Sequence, residues 1–485
     1  VSQETDERAE TTRGDAPDPR RWRILGVTLT VGFMVLLDVT IVNVAIPSMR
    51  TGLDTTAGSI QWVVSGYALA LGLMLVSGGR LGDAHGRRRM MLIGLTGFVL
   101  ASAAAGFAPH VAVLVGARLV QGLAAGLLTP QSSGLIQTMF SGRERGIAFG
   151  LFGFTVSVSS AIGPVLGGLL IAAFGEENGW RWIFLVNVPI GAVLLVAIAR
   201  LVPGRLDDAP ADTRIDVRGA LLLGATVLAL LYPVVSLESG QRVTLLLLLL
   251  VVPLGVAFVR HERRVVHDGG APLLDLALLR TTPGYASGIA VGSLYFTGFT
   301  GVFLVLSVYL QDGLGYTPLH AGLLLTPFAV GSAVAAPLAG RVVNRVGRSL
   351  TVIALGVMMS GLVVLAVVAP AAEDGRWMWL LLAGPLLVAG LGGGAVVSPN
   401  ITLSLAEVPP RMGGAAGGAL QTGQRIGAAI GAAVLMTTYQ VAVSRTDDPG
   451  TSLRWALAAS LVLLACALAA AVWSWRAEPA AGVDA

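Results

Sequence analysis

Fourteen apolar stretches of roughly 20 residues, the first at 24–47 and the last at 452–475, follow one another along the chain. About 20 apolar residues in a helix cross roughly 30 Å of hydrocarbon. Inside lipid the backbone can satisfy its N–H and C=O groups only in helices or closed barrels, and stretches this long and this continuously apolar predict helices. The expected fold class is therefore an all-α membrane protein with fourteen transmembrane helices. Composition agrees: 12 % of residues are charged, where a soluble domain carries about 25 %, and the mean hydropathy of +0.77 makes the bilayer the solvent.

All 32 basic residues are arginine and no lysine occurs. A phosphate-binding P-loop requires its lysine, so this chain cannot itself be an ATP-driven pump of that kind. Assigning the arginines by stretch places 24 on one side of the membrane, counting both tails, six on the other, and two, Arg118 and Arg425, inside helices. Basic residues gather on the cytoplasmic side, which predicts cytoplasmic termini. The pI of 9.6 then reports topology and calls for no nucleic-acid partner. Residues 1–22 are polar and charged, without the apolar core of a signal peptide, and predict a disordered cytoplasmic tail; residues 476–485 form a second tail. Cys466, the single cysteine, reads as a small apolar packing residue.

One loop is written twice. GRLGDAHGR at 79–87 returns as GRVVNRVGR at 340–348, so that Gly79, Arg80, Asp83, Gly86 and Arg87 match Gly340, Arg341, Asn344, Gly347 and Arg348. Such a repeat fits a transporter built from two parallel halves, with boundaries at 23–201 and 285–475. Residues 202–284 make a linker carrying two extra helices, at about 218–237 and 243–260. TLLLLLLVVPLG in that linker is aliphatic all round and predicts lipid-exposed helices.

Few residues inside the stretches carry chemistry. Asp38 lies near mid-membrane, where an ionised carboxylate costs about 3 kcal/mol, and shares a helical face with Val31, Met34, Val42 and Ala45. Arg118 lies at similar depth on the fourth stretch, on one face with Gln121, Gly122 and Ala125, so the two charges can meet. Arg425, flanked by Gln421 and Gln424, is deep in the thirteenth, as a helix–helix hydrogen bonder or as a substrate contact. The fifth stretch holds Gly153, Gly163, Pro164, Gly167 and Gly168, small residues that let helices approach closely. In WRWIFLVNVPIG, Trp180, Arg181 and Trp182 suit an interfacial anchor. His85, His110, His261, His267 and His320 fall in loops or at stretch ends and form no metal motif, so neither an enzyme nor a bound metal or cofactor is expected.

Several of these strings resemble the major facilitator superfamily, and the fourteen-span drug:proton antiporter branch in particular. The loop with Gly79, Asp83, Gly86, Arg87 and Arg88 resembles the family's charge-relay latch, which steadies the outward-facing state; with Asn344 in place of the acid, a strong latch is expected in the first half only. LLDVTIVNVAIP resembles the branch's first-helix signature, which implies proton handling by Asp38. ARLVQG resembles the R-x-x-Q-G motif, implying that Arg118 takes part in proton transfer. The string G-x9-GP-x-x-GG in the fifth stretch resembles the antiporter motif of exporters.

The resemblance implies a proton-coupled antiporter in the bacterial cytoplasmic membrane, monomeric, exporting amphipathic drugs or antibiotics, with the proton gradient as its drive. Spans one, four, nine and twelve would line the cavity, with Met34, Asp38, Arg118, Tyr295, Phe299 and Asn400 as contacts. Neutral, monocationic or, through Arg118, monoanionic amphiphiles are the expected cargo. A dedicated exporter of a self-made metabolite and a non-transporting membrane receptor or scaffold are the alternatives.

Overall fold

The computed structural model describes residues 18–175, 177–204, 216–237, 242–369 and 378–477. Most of the expected N-terminal tail, part of the linker and most of the C-terminal tail lie outside them. Each of the fourteen apolar stretches is a helix: α1 Arg21–Gly52, α2 Ala57–His85, α3 Arg87–Gly106, α4 Val111–Met139, α5 Gly142–Phe174, α6 Gly179–Leu201, α7 Val217–Leu237, α8 Val251–His267, α9 Tyr285–Val308, α10 Pro318–Val346, α11 Ser349–Val368, α12 Met378–Ser404, α13 Gly413–Thr446 and α14 Pro449–Arg476. A tighter 3-10 segment, Arg242–Leu250, leads into α8. Thirteen of the described helices are long and apolar enough to cross a membrane; the described apolar part of the other, Val217–Pro233 in α7, is shorter. The protein is a multi-pass membrane protein with an all-helical fold.

The duplicated loop has a backbone reason. α2 ends at Gly86 with φ of 91° and α10 ends at Gly347 with φ of 65°. Side chains with a Cβ avoid that region, so glycine lets the chain turn sharply between two long helices. The α13–α14 connection is held differently: Asp448 caps α14 by accepting from the Thr451 and Gly450 N–H groups at 2.9 and 3.1 Å. These bonds, chiefly those from Thr451, hold its carboxyl below the usual aspartate range.

Packing repeats as the loop does. In α1–α6, α2 packs on α4, α1 on α5, and α3 on α4 and α6; in α9–α14, α10 packs on α12, α9 on α13, and α11 on α12 and α14. The two bundles meet through α2 against α13 and α10 against α5, equivalent pairs in the repeat. Glycines permit both contacts. A Cβ at Gly79 would overlap the Gly414 carbonyl, and one at Gly340 would overlap the Gly146 carbonyl.

The extra pair lies beside this frame. α7 packs on α2 and α13, while the segment leading into α8 exposes Val243, Leu246 and Leu249, the outward apolar surface its sequence predicts. Cys466 is exposed on α14 and does not fill the interior position expected of it. Trp180 departs in the opposite sense. It is fully buried against Gly52 at the end of α1, with the Arg181 guanidinium 4.4 Å from its ring, and only Trp182 has the exposure an interfacial anchor needs.

Candidate functional site

A carboxylate in the interior requires compensating donors, and Asp38 has three. Its Oδ2 accepts from Arg118 Nη1, and its Oδ1 accepts from Gln121 Nε2 at 2.9 Å and Asn187 Nδ2 at 3.0 Å. Asp38 and Arg118 are each 1 % exposed, so water supplies little to either charge. Arg118 also donates to the Gln121 side-chain oxygen at 2.8 Å and, through Nε, to the Val63 carbonyl at 2.9 Å. Its guanidinium lies over the Tyr67 ring at 4.0 Å, a cation–π contact. Gln121 reaches on to Ser102 Oγ at 2.8 Å. Five helices thus converge on one ion pair: α1 with Asp38, α2 with Tyr67, α3 with Ser102, α4 with Arg118 and Gln121, and α6 with Asn187.

The shared faces read from the sequence hold, since Val31, Met34, Val42 and Ala45 are buried with Asp38 on α1, and Gln121 and Ala125 with Arg118 on α4. Asn187 was missed. It stands in LVNVPIG, a local echo of IVNVAIP in α1, and that echo was the available signal.

The α5 glycines bear on the same helix. A Cβ at Gly163 would overlap Thr40 Oγ1, two residues beyond Asp38, and one at Gly167 would stand 3.0 Å from the Ile41 carbonyl. Gly153 instead faces the other bundle, at 3.0 Å from Ala336 Cβ, and Gly168 meets nothing within 4 Å. The motif therefore splits into a part holding α1, a part facing α10 and a free position. Gly163→Val is expected to push α1 off α5 and lower transport by at least about tenfold, because relieving such overpacking costs about 1–3 kcal/mol. Gly168→Ala is the matched control, and both are scored by transport at equal membrane abundance.

The first copy of the repeated loop ties the bundles together. Asp83, with its side chain 1 % exposed, accepts from the Gly414 and Ala415 N–H groups at 3.1 and 2.9 Å in the first turn of α13, where free N–H groups and the helix dipole favour an anion. Arg87 donates to Asp83 at 3.1 Å, to the Gly134 carbonyl at 2.5 Å, to Thr138 Oγ1 at 2.6 Å and to the Pro410 carbonyl at 2.9 Å. Arg88 stays within the first bundle and donates to the Ala199 carbonyl. On the same face, Gln137 donates to the Leu405 carbonyl at 2.6 Å and Arg145 to the Ala406 carbonyl at 3.2 Å, so the face carrying both described chain ends is shut. In the second copy Asn344 is exposed, and Arg348 donates to Ser474 Oγ at 2.9 Å within its own bundle.

The six expected cavity contacts do not form one group. Met34 joins Asp38 and Arg118 in the interior of the first bundle, packed with Tyr67, Leu71 and Phe98. Tyr295 and Phe299 belong to an aromatic stack in the second, ring centroids 5.3 Å apart, which Phe299 extends to Phe328 at 5.1 Å. Asn400 stands apart. Its amide donates to the Gly288 carbonyl at 3.0 Å, and it borders a cavity of about 10 Å³ beside Arg348, Thr351 and Ser474. A larger groove, about 380 Å³, runs along the exposed side of α8 by Val251, Gly255 and Arg263, on a helix that does not pack on α1 or α4. Among the described residues no cluster of three or more His, Cys, Asp or Glu could hold a metal ion.

The comparisons with known proteins agree with this architecture. The family described as Major Facilitator Superfamily matches residues 28–432. The probable actinorhodin transporter of Streptomyces coelicolor is 38 % identical over 458 residues, 93 % of this chain and 78 % of that protein. The puromycin resistance protein pur8 of Streptomyces alboniger is 37 % identical over 449 residues, covering 91 % and 87 %. In fold, the chain resembles the proton:xylose symporter XylE bound to 6-bromo-6-deoxy-D-glucose, with a TM-score of 0.65 at 16 % identity over 96 % of this chain and 97 % of that one. The repeated packing, the duplicated loop and these likenesses lead to one conclusion: the chain belongs to the major facilitator superfamily, a family of transporters and not of enzymes.

Proposed function

We propose that the protein is an antiporter of the bacterial cytoplasmic membrane that exports amphipathic organic molecules, drugs or antibiotics, in exchange for protons. The observation that carries this reading is the ion pair of Asp38 and Arg118, buried at mid-membrane and held by Gln121 and Asn187. Protonation of Asp38 removes the charge that binds Arg118, so proton binding and the arrangement of α1, α4 and α6 are coupled through a single group. The halves 23–201 and 285–475 rock against each other, and residues 202–284 carry the extra pair. Both chain ends are cytoplasmic, on the arginine-rich side. The bolt from Asp83 and Arg87 to α13 shuts that side, and its release would open the cytoplasmic face. The working unit is a monomer, and Phe299 with its aromatic neighbours supplies an apolar wall for the cargo.

The names of the relatives support antibiotic-like cargo, one being an actinorhodin transporter and the other a puromycin resistance protein. The first of these also favours a second reading, an exporter dedicated to a single self-made compound.

Everted vesicles test the proposal. Ethidium, a monocation, is expected to accumulate when the lumen is acid and to leak out when nigericin collapses the gradient, with or without ATP. Propidium, its dicationic counterpart, is expected to accumulate at least about tenfold less, because an ion without a fixed countercharge in the interior costs several kcal/mol. Accumulation independent of the gradient would refute proton coupling.

A further inference from the structure

Arg425 is the second charge that the sequence places deep in a span, and it differs from the first in having no counterion among the described residues. It stands about twelve residues into α13, roughly 18 Å from the start of the helix at 1.5 Å per residue, near the middle of a hydrocarbon core about 30 Å thick. Among the described residues it has no hydrogen-bond or ion-pair partner. The one acid at comparable depth, Asp38, is already committed to Arg118, Gln121 and Asn187.

The neighbours of Arg425 show where it points. One turn earlier Gln421 donates to Ser133 Oγ of α4 at 3.1 Å, across the junction of the two bundles. Gly423 and Gly427 face Ser293 of α9, on another side of α13. Four residues on, Arg425 lies on the side of Gln421. It is only partly buried. Of the two roles the sequence allows, the glutamine takes the helix–helix hydrogen bond and leaves the arginine's donors unused.

A guanidinium at mid-membrane is costly and marks a functional position unless a partner neutralises it. Its planar fork matches a carboxylate, sulfonate or phenolate, often by two parallel hydrogen bonds. We infer that Arg425 is a binding residue for a single anionic group on an amphiphile. This deepens the exporter reading and rests on it. It also moves the anion contact from Arg118, whose charge Asp38 already balances, to the other bundle.

The test uses two probes with the same ring system. 8-Anilinonaphthalene-1-sulfonate carries one negative charge, and N-phenyl-1-naphthylamine carries none. Purified protein in lipid nanodiscs is titrated with each, and protein-free discs are subtracted. The native protein is expected to bind the sulfonate at least about tenfold more tightly, in line with a charge-assisted hydrogen bond. In Arg425→Gln the ratio of the two affinities should approach one, and Arg425→Lys should recover part of it.

Native protein supplies an independent readout: naphthalene-1-sulfonate should displace the bound anionic probe, and naphthalene-1-sulfonamide should not. No binding of the anionic probe by native protein, an unchanged ratio in Arg425→Gln, or equal displacement by both competitors would each overturn the inference. Gradient-driven ethidium accumulation by native protein reports on the exporter reading separately, so loss of one conclusion is distinguishable from loss of the other.

Discussion

Asp38→Asn should abolish gradient-driven export, lowering it by about two orders of magnitude, while exchange driven by a substrate gradient alone continues. Asparagine keeps the side-chain shape, and its oxygen can still accept from Gln121 and Asn187. It cannot exchange a proton, and it leaves Arg118 buried at 1 % exposure without its counterion. Removing one member of a buried pair costs about 3–5 kcal/mol, so the variant should also melt at a lower temperature. Contacts to Gln121, the Val63 carbonyl and the Tyr67 ring offset part of that cost. Adding Arg118→Gln should therefore restore thermal stability without restoring coupling. The two effects separate by measurement: melting reports on charge balance, and transport under a pH gradient reports on proton exchange. Full pH-driven transport by Asp38→Asn would remove Asp38 from the coupling role.

Arg87→Ala and Asp83→Ala should impair transport by about tenfold or more, and Asn344→Ala by less than about twofold. Loss of a helix-capping carboxylate costs about 0.5–2 kcal/mol, and Asp83 is both a cap on α13 and the counterion of Arg87. Arg87 in turn spans the junction to the Pro410 carbonyl. A change of 1–3 kcal/mol shifts a two-state equilibrium by about 5- to 150-fold, enough to open the shut face. Spin labels at the ends of α2 and α13 would read this as a longer distance in Asp83→Ala and no change in Asn344→Ala. Cys466, exposed on α14, must first be replaced. Equal loss of transport in all three variants would show that Asn344 bears load as Asp83 and Arg87 do, and would overturn the unequal latch.

Much of the fold and part of the site were legible in the chain. The fourteen helices follow from apolar length, because the bilayer leaves the backbone no alternative to closing its hydrogen bonds locally. The pairing of Gly86 with Gly347 was legible in the repeat, while the positive φ that both adopt is a finding of the structure. Asp38 and Arg118 stood out because an interior charge demands an opposite one at the same depth.

Partnership was a different matter. Helical periodicity names a face and does not name the neighbour on it. Lipid and a packed helix are both apolar, so hydropathy could not separate buried Trp180 from exposed Trp182, foresee that Cys466 faces outward, or show that Gly168 meets nothing. Asn187 comes to Asp38 from 149 residues away. Asp83 finds its donors 331 and 332 residues away, at a helix start whose free N–H groups leave no mark in the sequence. The chain by itself determined how many times it crosses the membrane and which charges it cannot leave unpaired; which groups meet those charges was decided only when helices distant in sequence packed together.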